Sequence, residues 1–408
     1  MNSLTLFLPC AAGVESYLEA EVRGILDDAP RRMSAQRGGL LVEASWREMM
    51  QLNLNARLCQ RVLIQLKEER YQSEDDIYQA ASSVPWEMWF SEKLTFKVDI
   101  TAQYSPLKSL NFAALRVKDA VADRFREWRG ARPDVDVKWP QVRVYVHLTQ
   151  DTVLLFVDTS GEPLFKRGWR TEKGEAPLKE TLAAAMIAAS GWADTDLPLY
   201  DPCCGSGTIA IEAAQIECRI APGHNRRFGF EHLNMHQAHV WQALKAQAKA
   251  LERAPTRRIY GSDVSFRMVD FAQNNAERAG VAHAIEFRGG DALQRNPPTE
   301  GAGMLILNPP YDERIAIAGV AARSQAQMPE GGDFFLQLAS HWKKNFSGWT
   351  AWILTPNLKL PTQMRLKESR RVPMWNGPIE CRFFKFEMVA GSARQKPKDQ
   401  SRASSPDA

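Results

Sequence analysis

Apolar residues recur along this chain with two different periods, and their arrangement changes at about residue 160. Leu4 to Val14 is an apolar run that passes into Glu15-Ser16-Tyr17-Leu18-Glu19-Ala20-Glu21. A strand followed by a helix is expected there. Leu94 to Thr101 alternates as a strand, and Asn111 opens a long amphipathic helix reaching Trp128. In that helix Leu115, Val117, Lys118, Val121 and Phe125 mix apolar and basic positions. Val142 to Leu148 and Val153 to Asp158 read as two strands joined by Thr149-Gln150-Asp151, a hairpin signal. Beyond residue 160 the pattern becomes strand, helix, strand. Ala176 to Met186 predicts a helix, with Pro177 near its start and alanine through its body. Leu197, Leu199 and Tyr200 make a short strand, and Ile209 to Cys218 a helix. Arg258 to Ser262, Ile285 to Phe287 and Met304 to Leu307 complete a series of short strands. This alternation predicts an open, mostly parallel sheet.

Two segments at predicted strand ends carry the chemistry. Asp201-Pro202-Cys203-Cys204-Gly205-Ser206-Gly207-Thr208 follows the first strand of the second region, and Asn308-Pro309-Pro310-Tyr311 follows the fourth. Open α/β sheets bind ligands outside the carboxyl ends of their strands. Gly205 and Gly207 permit turns and close approach that a Cβ would block. Thr208 opens a helix whose N-terminus favours an anionic group. The loop is neither G-x-G-x-x-G nor a P-loop, which argues against a nicotinamide dehydrogenase and an NTPase. Asn308 offers a side-chain oxygen and Pro309 a backbone carbonyl. Together they can accept both hydrogens of one NH₂ group, draw its nitrogen toward tetrahedral shape and aim its lone pair. Tyr311 offers a face on which a flipped base can stack, worth roughly 1–3 kcal/mol. The same four residues also suit a plain turn after a strand. With the glycine loop upstream, the pair resembles an S-adenosylmethionine (SAM)-dependent methyltransferase acting on a planar nitrogen. That resemblance implies a methionine carboxylate at the helix N-terminus. It also implies ribose hydroxyls on Asp263, at the end of Arg258 to Ser262, and the adenine amine on Asp291. Sixty-two residues separate Asp201 from Asp263, far more than the ~20 of a plain dinucleotide fold. An insertion between Arg219 and Arg257 is therefore expected. It contains His232, His236 and His239, spaced to share one helix face opposite Leu233, Val240, Trp241 and Leu244. H-x-x-x-H without a general-base Glu is weak evidence for a metal, and none is assigned.

Composition narrows the class. The chain has 408 residues, a net charge of +4 and 44% hydrophobic residues, so basic surface must be local. Phe165-Lys166-Arg167-Gly168-Trp169-Arg170 interleaves cations with aromatics and suits phosphate contact plus stacking, or a solvated connection. Lys118, Lys166, Arg167, Trp169 and Arg170 are the candidate RNA contacts. Six cysteines have neither disulfide nor metal spacing, as expected of a reducing compartment. No segment is long enough to span a membrane, and the N-terminal run lacks a basic n-region. A cytoplasmic location is expected. Residues from about 391 are rich in Ser, Lys, Pro and Gln and are expected to be disordered.

Strand, long helix and hairpin in the first region resemble the latter part of a THUMP domain, an RNA-binding module. Residues 1 to about 44 resemble the small ferredoxin-like piece that accompanies it. The layout as a whole is similar to bacterial 23S ribosomal RNA guanine-N2 methyltransferases. The shared pieces are Ala176-Pro177-Leu178-Lys179-Glu180, Asp201 to Thr208, Tyr260-Gly261-Ser262-Asp263, Asn308 to Tyr311 and Asn376 to Cys381. The expected fold class is α/β: a Rossmann-like class I methyltransferase sheet preceded by an α+β ferredoxin-like/THUMP region. The expected division is 1–44, 45–160, 161–390 and a tail from 391 to 408. The resemblance implies SAM as cofactor, held by Pro177, Lys179, Asp201, Cys203, Gly205, Gly207, Thr208, Asp263, Asp291 and Asn308. It implies Asn308, Pro309, Pro310 and Tyr311 as the catalytic set. The implied partner is 23S rRNA or a large-subunit assembly intermediate, with one guanosine N2 methylated in the peptidyl-transferase region. Some family members continue into a second methyltransferase domain that makes 7-methylguanosine, an activity not expected of these residues. A tRNA guanine-N2 methyltransferase, a DNA adenine or protein glutamine methyltransferase, and a non-catalytic RNA-binding or ribosome-assembly factor are the alternatives.

Overall fold

The computed structural model describes residues 3–27, 31–171, 178–309 and 332–389. The expected tail therefore lies outside the described residues, as do Pro177, Pro310 and Tyr311. The first region contains β1 (Leu4–Pro9), α1 (Glu15–Ile25), β2 (Met33–Gln36), β3 (Gly39–Ala44), α2 (Trp46–Asn55) and β4 (Leu63–Arg70). It continues with α3 (Glu74–Ser82), β5 (Phe96–Ala102), α4 (Leu110–Arg129), β6 (Val142–Leu148) and β7 (Thr152–Asp158). Their strands form one seven-stranded sheet in the order β2-β3-β1-β4-β7-β6-β5. β6 reads Val-Arg-Val-Tyr-Val-His-Leu and buries alternate residues, as the pleat requires of a half-buried strand. α4 starts where the Ser109 side chain accepts from the Phe112 N–H and ends at Gly130 in the left-handed region. Its buried face is Ala113, Val117, Ala120, Val121 and Phe125. Leu115, expected to help fill the core, is half exposed on the opposite side.

The second region is built from α5 (Glu180–Ser190), β8 (Leu199–Asp201), α6 (Thr208–Glu217), α7 (Ala238–Ala250), β9 (Ile259–Asp263), α8 (Phe266–Arg278), β10 (Ile285–Gly289) and β11 (Met304–Leu307). After it come α9 (Gly332–Asn345), β12 (Thr350–Thr355), a short helix at Leu360–Met364, β13 (Arg370–Asn376) and β14 (Ile379–Glu387). The sheet order is β10-β9-β8-β11-β12-β14-β13. β8 to β12 are parallel, and β14 runs against both β12 and β13. α5 and α6 are buried almost all round, which their Ala-rich sequences allow. The chain moves outward from β8 through β9 to β10, then returns to the other side of β8 as β11. This makes the gap between β8 and β11 the topological switch point, the usual ligand position in such sheets.

The insertion is not the surface helix expected. His232 ends a short 3-10 turn, His236 lies in the irregular stretch before α7, and helix α7 begins only at Ala238, so the three histidines do not share a helix. The segment is held out of helical geometry by contacts to the first region. Asn234 N–H donates to the Trp89 carbonyl at 2.9 Å, and Phe230 N–H to the Thr159 carbonyl at 2.9 Å. Phe228, Phe230, Leu233, Trp241 and Leu244 join the hydrophobic core of the first sheet. The insertion thus braces the two sheets together. No group of His, Cys, Asp or Glu among the described residues could hold a metal ion.

Candidate active site

β8, β9, β10 and β11 are parallel, so the residues that follow them gather at one edge of the sheet. Asp201 ends β8, Asp263 ends β9, and Asp291 comes two residues after β10. β11 pairs with β8 at Met304–Leu199 and Leu305–Tyr200, so Asn308 and Pro309 emerge beside the glycine loop. The loop is fixed from several sides. Cys203 N–H donates to Asp201 Oδ1 at 3.1 Å. Cys204 N–H donates to the Ser262 carbonyl at 2.9 Å. Gly205 N–H donates to Asp263 Oδ2 at 2.9 Å, and Ser265 N–H to Asp263 Oδ1 at 2.9 Å. Asp291 Oδ1 accepts from Leu293 N–H at 2.9 Å.

Glycine is required at two points in the loop. Gly207 has φ +86°, and a Cβ there would meet Ala272 and Phe287 at about 3 Å. Gly205 has φ +52°, but a Cβ would enter open space, the room a ligand needs. Three carboxylates, two left-handed glycines and the N-terminus of α6 suit a group with a cationic centre, vicinal hydroxyls and a carboxylate. SAM has that chemistry, and the residues present fit it.

Burial sets the charge state of the edge. Asp201 is pushed up to about 8 by burial, with Asp263 adding to the rise. Asp263 is raised as well, again chiefly by burial. The Cys203 and Cys204 thiols are pushed up by burial and by the surrounding Asp201 and Asp263, so neither is an activated nucleophile. Asp201 therefore keeps its proton in the free protein at neutral pH. Its folded pKa lies above the unfolded value, so it lowers stability as pH rises from about 4 to about 8. A cationic ligand beside it favours the ionised form. SAM binding near pH 7 is accordingly expected to release close to one proton, and affinity to rise with pH up to about 8. Calorimetry in two buffers of different ionisation enthalpy measures the release, and Asp201→Asn should abolish it.

The basic connection does something other than the RNA contact expected of it. Arg167 is only 2% exposed. Its Nε donates to Glu212 Oε1 at 3.1 Å, and its other nitrogens donate to the Leu164 and Arg57 carbonyls. Trp169 is buried too. Neither can meet RNA from the surface. Arg170 is half-buried and holds the loop from behind. It donates to Glu180 Oε1 at 2.8 Å, Ser206 Oγ at 2.9 Å and Thr208 Oγ1 at 2.8 Å. Asn275, fully buried on α8, donates to the Ser206 carbonyl at 3.1 Å. Glu180, Ser206 and Asn275 were not singled out from the sequence. Of the expected RNA contacts, Lys118 and Lys166 stay at the surface, paired with Asp119 and Glu162 respectively. Lys179 caps α5 and places its ammonium 5.1 Å from the centre of the Phe165 ring.

Three family models match the chain. Residues 167–385, more than half of it, match the RMKL-like methyltransferase domain. This chain belongs to that family. Residues 5–63 match the RlmL ferredoxin-like domain and residues 71–158 the THUMP domain. A relative from Psychromonas ingrahamii, named ribosomal RNA large subunit methyltransferase K/L, is 37% identical over 93% of this chain and 49% of its own length. One of the same name from Shewanella amazonensis is 38% identical over 95% of this chain and 54% of its own length. The chain thus spans about half the length of the curated relatives it matches. Among solved structures, a possible methylase from Clostridium difficile superposes with a TM-score of 0.82 at 27% identity, covering 96% of this chain and 100% of its own. SMU.472, a putative methyltransferase complexed with SAH, gives 0.83 at 24% identity, with 97% and 100% covered. Both the expected fold class and the expected family are borne out.

Proposed function

We propose that this chain transfers a methyl group from SAM to the exocyclic N2 of a guanosine in 23S rRNA. The observation that carries the reading is Asn308-Pro309 following β11, beside the glycine loop that Asp263 anchors. The kinship with proteins named for large-subunit rRNA methylation supports the substrate class. Asp263 would hold the ribose hydroxyls, Asp291 the adenine amine and the first turn of α6 the methionine carboxylate. Lys179 and residues Asp201 to Thr208 would complete that site. When bound, the cofactor supplies an electrophilic methyl on a sulfonium.

The protein's share is geometry. A guanine amine is a poor nucleophile because its lone pair is delocalised into the ring. Asn308 and Pro309 accept its two hydrogens, and this acceptance strengthens as positive charge develops on nitrogen. Pro309 is buried, and its place before another proline in the sequence restricts its ψ, so its carbonyl is preorganised. Pro310 and Tyr311 complete the proposed tip. The target base must leave its stack to reach this edge, at a cost of a few kcal/mol. Contacts from Lys118 in the first region and Lys166 in the connection would help set the register. We place the first division of the chain between residues 63 and 71 rather than at the expected 44, since the ferredoxin-like match ends at 63 and the THUMP match begins at 71. The methyltransferase part would run from about 161 to 390. The setting would be the cytoplasm, and the substrate free 23S rRNA or an assembly intermediate. No helix among the described residues is long and apolar enough to cross a membrane.

The test is a reaction of the purified protein with labelled SAM and either 23S rRNA or tRNA. Digestion to nucleosides is expected to yield N2-methylguanosine from the rRNA alone. Product from tRNA would move the substrate class. Labelled N6-methyladenosine would overturn the amine assignment.

A further inference from the structure

A cavity of about 210 Å³ lies where the first sheet meets the second. Cys10 and Arg37 reach it from the end of β1 and the β2–β3 turn, and Gln60 from the loop before β4. Lys179 comes from the start of α5. Trp375 and Asn376 come from the end of β13, at the turn into β14. None of the glycine-loop residues lines it, nor does Asp263, Asp291 or Asn308; of the described residues placed at the cofactor only Lys179 borders it, so the two sites are neighbours. Its place matters. β13 and β12 each pair antiparallel to β14, so β13 runs in the direction of β8 and β11. The Asn376-Gly377-Pro378 turn therefore hangs from the same sheet edge as Asn308.

The lining has a consistent chemistry. The Arg37 guanidinium sits 5.8 Å from the centre of the Trp375 ring, as Lys179 sits over Phe165. Among the described residues neither cation forms an ion pair, in contrast to Arg57, Arg143, Arg167 and Arg170. Asn376 Nδ2 is buried with no hydrogen-bond partner among the described residues. Among the described residues no carboxylate lines the cavity. Two uncompensated cations, an unmet amide donor and a half-exposed indole call for an anion attached to a planar ring. The volume is below the roughly 300–1,000 Å³ of small-molecule sites. That suits one unit of a longer chain better than a free cofactor.

We propose that this cavity seats a single-stranded RNA nucleotide flanking the methylated guanosine. Its base stacks on Trp375, its phosphate meets Arg37 and Lys179, and Asn376 donates to it. The proposal rests on the RNA substrate argued above and adds a second, fixed point of contact on the methyltransferase edge. Two contacts on one edge would hold the strand in register while the target base turns toward Asn308.

The test uses the full chain with an rRNA transcript. Arg37→Ala, Trp375→Ala and Trp375→Phe are compared for RNA affinity over a salt series and for steady-state kinetics. Trp375→Ala is expected to raise KM for RNA roughly tenfold or more with kcat little changed, and Trp375→Phe to recover most of it. Arg37→Ala is expected to raise KM and to lower the slope of log affinity against log salt by ~0.7, one phosphate contact. Cofactor affinity, measured with S-adenosylhomocysteine, should stay at the wild-type value in all three. Unchanged KM and salt slope in both alanine variants, with a wild type that methylates rRNA normally, would overturn this site alone. A wild type that neither binds nor methylates RNA would overturn it together with the reading it rests on.

Discussion

Asn308→Ala is expected to lower kcat for methyl transfer by about 10²–10³-fold, the usual loss for one transition-state hydrogen-bond partner. Cofactor affinity should stay near wild type. The argument is positional. Asn308 follows β11, whereas the loop from Asp201 to Thr208 and the Asp263 carboxylate belong to β8 and β9. An amine acceptor should act on kcat and a cofactor ligand on binding. Asp263→Ala supplies the contrast. It removes the acceptor of both Gly205 N–H and Ser265 N–H. Cofactor affinity should fall by roughly 1.5–3 kcal/mol, the range for hydrogen bonds to a charged group. Single-turnover rates at saturating cofactor, with calorimetry, separate the two. An Asn308→Ala protein with wild-type turnover would remove it from the mechanism.

The second large effect concerns stability. Glu212 has no exposed surface and lies between Arg57 and Arg167, which come from the first region and from the connection. Arg57 Nη1 approaches Glu212 Oε2 at 3.3 Å, and burial pulls the Arg57 pKa down. Removing one partner of a buried ionic group costs about 3–5 kcal/mol, because the others remain charged in an apolar setting. Glu212→Gln should therefore lower Tm by roughly 5 °C. Replacing Arg57, Arg167 and Glu212 by Met, Met and Leu, with the buried Glu21 that faces both arginines changed to Gln, should restore much of it, since apolar replacements of a whole buried cluster are often neutral. An unchanged Tm in Glu212→Gln would mean the cluster does not join the two sheets energetically. It also follows that cutting the chain near Thr171 would strip Glu212 of both arginines. Loss of activity in such a fragment would then report unfolding rather than lost RNA contact.

What the sequence made legible was local. α4 spans Leu110–Arg129 against an expected Asn111–Trp128, because a 3.6-residue period sustained over five turns is unambiguous. β11 coincides with the expected Met304–Leu307, bounded as it is by Gly303 and Asn308. The glycine loop and the Asn-Pro tip could be found because their chemistry lies in consecutive residues. The far half of the second sheet went unread. β12 is a short buried run, and β13 and β14 are recognisable as a pair mainly through their register. The basic connection was misread for a similar reason. Lys166, Arg167 and Arg170 look alike in a charged run. Only the partners Glu212, 45 residues on, and Ser206 and Thr208, 36 and 38 residues on, decide which are buried. The histidines failed through their assumed helix. Contacts from Asn234 to Trp89 and from Phe230 to Thr159 delay it to Ala238. Pro177, Pro310 and Tyr311 rest on sequence alone.

The most direct test of the central claim maps methylated nucleosides in 23S rRNA from cells lacking this gene. The cells are complemented with the wild-type chain or with Asn308→Ala. The account predicts that one N2-methylguanosine disappears on deletion, returns with the wild type and stays absent with Asn308→Ala. An unchanged N2-methylguanosine content in the deletion, or full restoration by Asn308→Ala, would contradict it.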